Sequence, residues 1–209
     1  MSQRARRLCA GAVVAAAAGL SACNGSPVAP GAQPILYQVG GPTGNFPTIQ
    51  AAINAAPAGE VVGVNAGTYS ERLVISKPLK LRGTRAILDG AAVSDGTGIG
   101  IQVTNAADGE LTGFTVQNYE RGIVLENASH WKIDGNEVKN NTAKTGPFVV
   151  GVSPWEAIML IGSSNNEISN NFAHDNGHDG LMVTAGSGGN SIHDNRFTDN
   201  GAQTPTRVG

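Results

Sequence analysis

A short apolar motif that recurs at nearly regular intervals dominates the second half of the chain. Its copies are separated by steps of 22, 35 and 24 residues, beginning at Leu111, Ile133, Ile168 and Ile192. A second series of apolar runs, at Gly122–Leu125, Ala157–Leu160 and Gly180–Val183, has the same long step. The 35-residue step is therefore one repeat of about 23 residues plus an insertion near 142–154. A repeat of this length is typical of a solenoid.

The apolar runs have the composition of β-strands. They are short, rich in Ile and Val and separated by Asn and Gly, and no stretch of helical spacing lies between them. We therefore predict an all-β fold, a parallel β-helix of about six coils counted from Val61. Residues 49–56 instead place their apolar side chains on one helical face, with Thr48 as N-cap, so a short N-terminal helix should close the open end of the stack.

Six Asn residues fall at two fixed positions of the repeat. They are Asn136, Asn171 and Asn195 at the first position and Asn141, Asn176 and Asn200 at the second. Stacked one coil apart, ~4.8 Å, their amides can form a hydrogen-bonded ladder. Because Asn tolerates left-handed backbone geometry, we also expect these residues to make the bends between strands. The alternative is that these amides bind a ligand.

The segment that follows the predicted helix resembles a known family. It contains Ala66-Gly-Thr-Tyr69, Glu71, Lys77-Pro-Leu79, Leu81-Arg-Gly83 and Leu88-Asp-Gly90 in an order similar to the opening of many pectin-lyase-like proteins. The Asn-rich repeat is similar to the generic repeat of the same superfamily, and the resemblance covers roughly 46–201. It implies a right-handed parallel β-helix. Such a resemblance is specific for fold and leaves the function open.

The N-terminus has the features of a bacterial lipoprotein signal. Three Arg residues precede an apolar run too short to span a bilayer comfortably, and Leu20-Ser-Ala-Cys23 has the form of a lipobox. We predict a signal peptide at 1–22, lipidation of Cys23, a flexible Pro/Gly/Ala tether at 23–36 and a β-helix domain at 37–209. The alternative is an ordinary signal peptide with an incidental Cys. The predicted location is the cell envelope, with a membrane anchor, either periplasmic or at the cell surface.

Removal of the signal would take away three Arg residues and no acidic residue, lowering the formal net charge from −2 to −5. A negative chain is not expected to bind nucleic acid through general attraction. At the other end, no amphipathic segment after Gly201 is available to cover the last coil. Because an open stack exposes apolar side chains and a strand edge, we expect a C-terminally truncated product, or a partner or self-association at this end.

Stacking converts equivalent positions of the repeat into columns on the surface. One column holds Gln117, Lys139, His174 and Thr198, and its neighbour holds Asn118, Asn140, Asp175 and Asp199. Asp175 and Asp199, one coil apart, are predicted to share a cation with Asn140 as a further ligand, and calcium is the natural candidate. The alternative is a solvated turn that tolerates two acidic residues.

Lys139, His174 and His178 are the candidate catalytic residues, since a general base is needed near neutral pH. The family resemblance implies such a base in polysaccharide lyases, where it removes a proton beside a uronate carboxylate that calcium or another charge neutralises. The alternative is that these are surface residues of a turn.

A second column holds Arg121, Glu156 and Asp179, with Glu120, Trp155 and His178 one position before them. We consider Arg121 and Trp155 as substrate-binding residues, with a surface ion pair and a covering ring as the respective alternatives. Strand alternation turns Val124, Met159 and Met182 outward, and the insertion is predicted to cover them.

The sequence thus predicts an exported, lipid-anchored β-helix that binds or processes polysaccharide, with lyase-like or epimerase-like chemistry if it is an enzyme. The alternative is a non-catalytic scaffold or surface-binding module, or a periplasmic metal-delivery accessory protein, as the resemblance to the accessory proteins of nitrous oxide reductase implies.

Overall fold

The computed structural model of this protein describes residues 36–93, 98–142, 155–184 and 186–201. All of these residues belong to one unit of the chain, 34–209. The predicted signal peptide, Cys23 and nearly all of the predicted tether therefore lie outside the described residues, as does nearly all of the predicted insertion. Among the described residues, no helix is long and apolar enough to span a membrane.

Within the described residues the fold consists of sixteen strands, one α-helix and one short 3₁₀ helix. They are β1 (Tyr37–Val39), α1 (Ile49–Ala55), β2 (Val61–Val64), β3 (Gly67–Tyr69), β4 (Leu73–Ile75), β5 (Lys80–Asp89), η1 (Gly90–Ala92), β6 (Ile99–Thr104), β7 (Ala107–Gln117), β8 (Arg121–Glu126), β9 (Ser129–Asp134), β10 (Glu137–Lys139), β11 (Ile158–Ile161), β12 (Glu167–Ser169), β13 (Phe172–His174), β14 (Leu181–Val183), β15 (Ser191–His193) and β16 (Arg196–Thr198). The all-β prediction is confirmed.

The strands stack into three faces, and every pairing between strands is parallel. Face one contains β1, β2, the first halves of β5 and β7, and then β9, β12 and β15. Face two contains β3, the second halves of β5 and β7, and then β10, β13 and β16. Face three contains β4, β6, β8, β11 and β14. Counted from Val61, face two has six levels, which confirms the predicted parallel β-helix of about six coils.

Helix α1 is held over the first coils at both of its ends. Thr48 is the N-cap, and its hydroxyl accepts a hydrogen bond from the amide of Ala51 at 3.1 Å, as predicted. The Glu71 carboxylate accepts two further amide hydrogen bonds at the N-terminus, at 2.9 and 3.0 Å. At the C-terminus, Lys77 donates to the carbonyls of Asn54 and Ala56. Opposite charges at the two ends complement the helix dipole, which explains Glu71 and Lys77 in the family-like segment.

The core is a continuous column of aliphatic side chains inside the coils. On face one, Leu81, Leu111, Ile133 and Ile168 stack in register and are fully buried. Ile192 extends the same column in the next coil but is exposed there. The aliphatic column is therefore shielded from solvent only where another described coil covers it.

The predicted Asn ladders run through the turns on either side of face two. In the first ladder the Asn136 amide donates to Asn171 at 3.1 Å, and Asn171 donates to Asn195 at 3.0 Å. The second ladder repeats this at Asn141, Asn176 and Asn200, at 3.0 and 2.9 Å. Each ladder carbonyl also accepts a backbone N–H from the preceding coil, as Asn171 does from the amide of Asn136. The ladder side chains therefore form hydrogen bonds with buried backbone N–H groups as well as with one another.

A third ladder was not predicted. Asn166 donates to Asn190 at 3.0 Å at the turn that leads into face one. The sequence spacing between these two residues is the same 24 residues that separates Asn171 from Asn195, so the signal was present in the repeat.

The prediction that the ladder residues are left-handed is wrong. Positive φ values belong to the residue that precedes each ladder Asn, such as Asn140 at 53°, Asn170 at 54° and Asp175 at 55°. A ladder Asn must aim its amide along the stack, whereas the bend itself only needs a residue that tolerates this backbone region. The ladder hydrogen bond and the left-handed bend, which sequence analysis assigned to one residue, therefore belong to two consecutive residues.

Two of the three outward residues of face three are buried. Val124 and Met159 are nearly inaccessible to solvent although strand alternation points them away from the coil interior. Met182, their neighbour in register, is half-buried. The segment predicted to cover them lies almost entirely outside the described residues.

Replacing Asn171 by Ala should lower the free energy of unfolding by about 2–4 kcal/mol, because it leaves the buried amide of Asn136 and the buried carbonyl of Ile133 without a partner. Urea denaturation of the full chain measures this loss. The control is Asn54→Ala, which removes an exposed amide from α1 and should change stability by less than ~0.5 kcal/mol. Equal effects for the two variants would contradict the structural role of the ladder.

Candidate functional site

The outer surface of face two carries polar side chains in two adjacent columns. Strand register aligns Thr115 with Glu137, Phe172 and Arg196, and it aligns Gln117 with Lys139, His174 and Thr198. The predicted column of Gln117, Lys139, His174 and Thr198 is therefore present. Successive members are neighbours one coil apart, so side chains 22 or 37 residues apart in sequence come within hydrogen-bonding distance.

Glu137 connects the members of this surface, and sequence analysis missed it. Its carboxylate accepts hydrogen bonds from Thr115 Oγ1 at 3.0 Å and Lys139 Nζ at 3.0 Å, and its Oε1 lies 3.2 Å from His174 Nε2. Burial opposes ionisation of this carboxyl, but the hydrogen bonds from Lys139, His174 and Thr115 outweigh it, so the pKa of Glu137 is lowered from its usual value. Lys139 and His174, two predicted catalytic residues, thus meet at one ionised oxygen.

His174 is held on three sides. Its Nδ1 lies 2.6 Å from Asp175 Oδ2, its Nε2 contacts Glu137, and its ring stacks on Phe172 with centroids 4.1 Å apart. Arg196 lies over the same Phe172 ring, 4.7 Å from its centroid. Only 16% of the His174 side chain is exposed. A neutral imidazole can donate from one nitrogen only, whereas the cation can donate to both carboxylates.

A contact between His and the following Asp is by itself a property of the turn. The same Nδ1–Oδ2 contact occurs at His193–Asp194, at 2.9 Å, and at His178–Asp179, at 3.0 Å. On face one, His193 even has an acid and a Lys beside it, since Glu167 Oε1 lies 3.6 Å from His193 Nε2 and 2.9 Å from Lys132 Nζ. That face-one cluster is open to solvent, with 45% of the His193 side chain exposed. Burial and the Phe172 stack distinguish the His174 cluster.

The three residues of the predicted calcium site occupy one position of the repeat. Asn140, Asp175 and Asp199 each follow a residue of the column described above, and their φ values are 53°, 55° and 54°. Equivalent backbone geometry at the same turn stacks the three side chains one above another. One oxygen of Asp175 is engaged by His174. Calcium binding by these residues stays a prediction.

Asp89 extends the polar surface of face two toward the N-terminal coils. Its carboxylate accepts hydrogen bonds from Gln117 Nε2 and Asn118 Nδ2, both at 2.9 Å. The surface therefore runs without interruption from the second coil to the last described one.

The structure places Arg121, Trp155 and His178 elsewhere, at the entrance to face three. Trp155 is only 6% exposed, so its ring covers the chain itself, which was the alternative to sugar stacking. Arg121 Nε lies 3.8 Å from Glu156 Oε2, as the predicted column implied. His178, the third predicted catalytic residue, is thus separated from Lys139 and His174 and belongs with Glu156 and Asp179.

A family model described as a right-handed β-helix region matches residues 79–205. No curated protein sequence matches the chain significantly. Among solved structures, an alginate lyase from Paenibacillus sp. str. FPU-7 is similar, with 19% sequence identity and a TM-score of 0.48 over 74% of this chain; the match spans 66% of that enzyme. A putative glycosyl hydrolase from Parabacteroides merdae ATCC 43184 matches 73% of this chain and 87% of its own length, with 11% identity and a TM-score of 0.41.

The lowered pKa of Glu137 predicts an acid-sensitive contribution to stability. A group whose pKa is lower in the folded state stabilises the fold above its unfolded pKa, and the contribution is lost as the pH falls through the folded pKa. Replacing Glu137 by Gln should therefore flatten the decline of the unfolding free energy below about pH 4.5. Urea denaturation at several pH values between pH 7 and pH 3 measures this dependence of the unfolding free energy on pH. Glu60→Gln is the control for the loss of an exposed carboxylate, and a slope for E137Q equal to that of the wild type would contradict the prediction.

Proposed function

Because this chain belongs to the family of right-handed β-helix proteins, we propose that it binds an acidic polysaccharide along face two and processes it at the His174 cluster. The observation that carries this proposal is the meeting of Lys139 and His174 at the ionised carboxylate of Glu137, on a continuous, partly exposed polar surface. A linear polymer suits such a surface, because its groups recur along the columns.

The chemistry proposed is elimination at a uronate, or epimerisation that begins with the same step. In the tautomer that serves as the base, the Nδ1–H of His174 donates to Asp175, and Nε2, whose contact with Glu137 the bound sugar would displace, takes the proton from the carbon beside the uronate carboxylate. In elimination the electron pair forms a carbon–carbon double bond, and the bond to the glycosidic oxygen breaks as that oxygen takes a proton from solvent water. In epimerisation a proton returns to the same carbon from the opposite side.

Two features of the cluster support His174 as the base. The imidazolium that forms would lie between the carboxylates of Glu137 and Asp175, so its charge is stabilised as it develops. Stacking on Phe172 fixes the orientation of the ring. The ammonium of Lys139 is in reach to neutralise the substrate carboxylate, and Arg196 supplies a second cation on the same surface.

Export and anchoring belong to the same proposal. The basic start, the apolar run and the lipobox at Cys23 support a lipid anchor in the cell envelope, where the protein would meet extracellular or wall polysaccharide. Asn140, Asp175 and Asp199 would hold calcium close to the base, where the ion adds positive charge for an acidic polymer.

The catalytic part is tested with a panel of uronate-containing polymers. The full chain should produce the ultraviolet absorbance of an unsaturated uronate, or, for epimerisation, exchange of the abstracted hydrogen with solvent deuterium. His174→Ala should slow either reaction by at least ~100-fold, since it removes the base. The matched control is His193→Ala in the face-one cluster, which should leave the rate unchanged.

Silence across the panel, in both assays, would contradict the catalytic part. Retention on a polymer column, lost in Lys139→Ala and kept in Lys132→Ala, would then assign face two to a non-catalytic binding module. Absence of retention as well would favour the scaffold or accessory role.

The calcium site is tested separately by thermal unfolding. Added calcium should raise the melting temperature of the wild type, and Asp175→Asn and Asp199→Asn should abolish the shift, because each removes an ionised ligand. Asp194→Asn is the matched control, since it lies at the equivalent turn of face one and has a positive φ of 56°. No shift in the wild type would remove calcium from the proposal.

A further inference from the structure

Buried polar atoms without a hydrogen-bond partner gather at one point of the described chain, the start of face three. They include both carboxylate oxygens of Glu156 and Nε of Arg121, together with Nδ1 of His178, whose 3.0 Å contact with Asp179 Oδ2 lacks hydrogen-bond geometry. Native proteins pair nearly all such atoms, so a concentration of them needs an explanation, such as an ion bound by the carboxylate and imidazole atoms among them. This concentration lies apart from the His174 cluster of face two.

The carboxylate of Glu156 is the most deeply buried group at this point and lacks hydrogen bonds to the other described residues. Its side chain is fully buried, and a buried carboxylate is costly unless hydrogen bonds or an opposite charge compensate it. Among the described residues, the cation beside Glu156 is Arg121, but its Nε lies 3.8 Å from Glu156 Oε2, which is beyond hydrogen-bonding distance. Arg121 thus offers charge to Glu156 without satisfying the lone pairs of its oxygens.

His178 and Asp179 complete a set of ligand atoms around Glu156. One ligand atom from each of the three residues lies within 4.8 Å of the other two. Modest side-chain rotations would bring all three to the ~2.0–2.2 Å that zinc requires. An imidazole together with two carboxylates favours a transition ion such as zinc over calcium or magnesium, which take oxygen ligands.

We propose that Glu156, His178 and Asp179 form a site for a divalent transition-metal ion, with zinc as the representative ion. The site is independent of the proposed activity on face two. Glu156 precedes β11 and Asp179 precedes β14, and these two strands pair in register. The ion therefore ties two successive coils together where the chain re-enters face three after the insertion.

The solvent exposure of the three ligand residues indicates on which side the site is open. Glu156 is buried, the His178 side chain is one-third exposed and the Asp179 side chain is half-exposed, so the site opens toward solvent on the Asp179 side. Three protein ligands leave a fourth position for water or another ligand.

Isothermal titration of the chelator-treated full chain with zinc chloride tests the site. Wild type should bind zinc, and Glu156→Gln and His178→Ala should each weaken binding by at least ~10-fold. The control is His193→Ala, which removes a histidine with a similar Asp contact but no buried carboxylate, and its affinity should stay within about twofold of the wild type. Calcium chloride should not compete. His178→Ala keeps the test valid should Glu156→Gln fail to fold.

The Arg121→Gln variant distinguishes a metal site from a simple ion pair between Arg121 and Glu156. With a metal site, the loss of a competing cation leaves the zinc affinity unchanged or strengthens it. Failure of the wild type to bind zinc, or an equal loss of affinity in His193→Ala and His178→Ala, would overturn the proposal. A cobalt(II) spectrum identical to that of the hydrated ion would overturn it as well.

Discussion

Parallel backbone pairing between coils is the interaction on which the rest of this structure depends. A single coil cannot bury its own apolar residues, and it leaves its strand amides and carbonyls without partners. Stacking solves both problems at once along the whole column from Leu81 to Ile168. The Asn ladders extend the same pairing into the turns, where regular strand hydrogen bonds cannot reach.

Repetition makes some local features uninformative about function. The His174–Asp175 and His193–Asp194 contacts share one geometry because both Asp residues lie at the same kind of turn, with φ values of 55° and 56°, and the face-one cluster at Lys132, Glu167 and His193 resembles that of face two. What distinguishes His174 is its environment: the Phe172 ring, the Glu137 carboxylate and the low exposure. The repeat supplies many equivalent positions, and packing decides which of them becomes a site.

Buried polar groups are treated in two different ways in the described chain. The ladder residues are buried and fully paired, so they stabilise the stack. Glu156 is equally buried, yet both of its oxygens lack a hydrogen-bond partner. The contrast within one fold supports the proposal that Glu156 is a metal ligand rather than a tolerated unpaired carboxylate.

The spacing of the Ile-led and Asn-led motifs determined the fold, the coil number, the ladders and the columns, because stacking turns a sequence period directly into spatial neighbours. It placed Lys139 beside His174 and Arg121 beside Glu156. Only the tertiary structure identified Glu137 as the connecting carboxylate, because the repeat fixes which positions are adjacent but not where their side chains turn. It also moved the left-handed bend to the residue before each ladder Asn and buried Trp155. Side-chain direction and burial depend on what the neighbouring coils contribute, which no single repeat encodes.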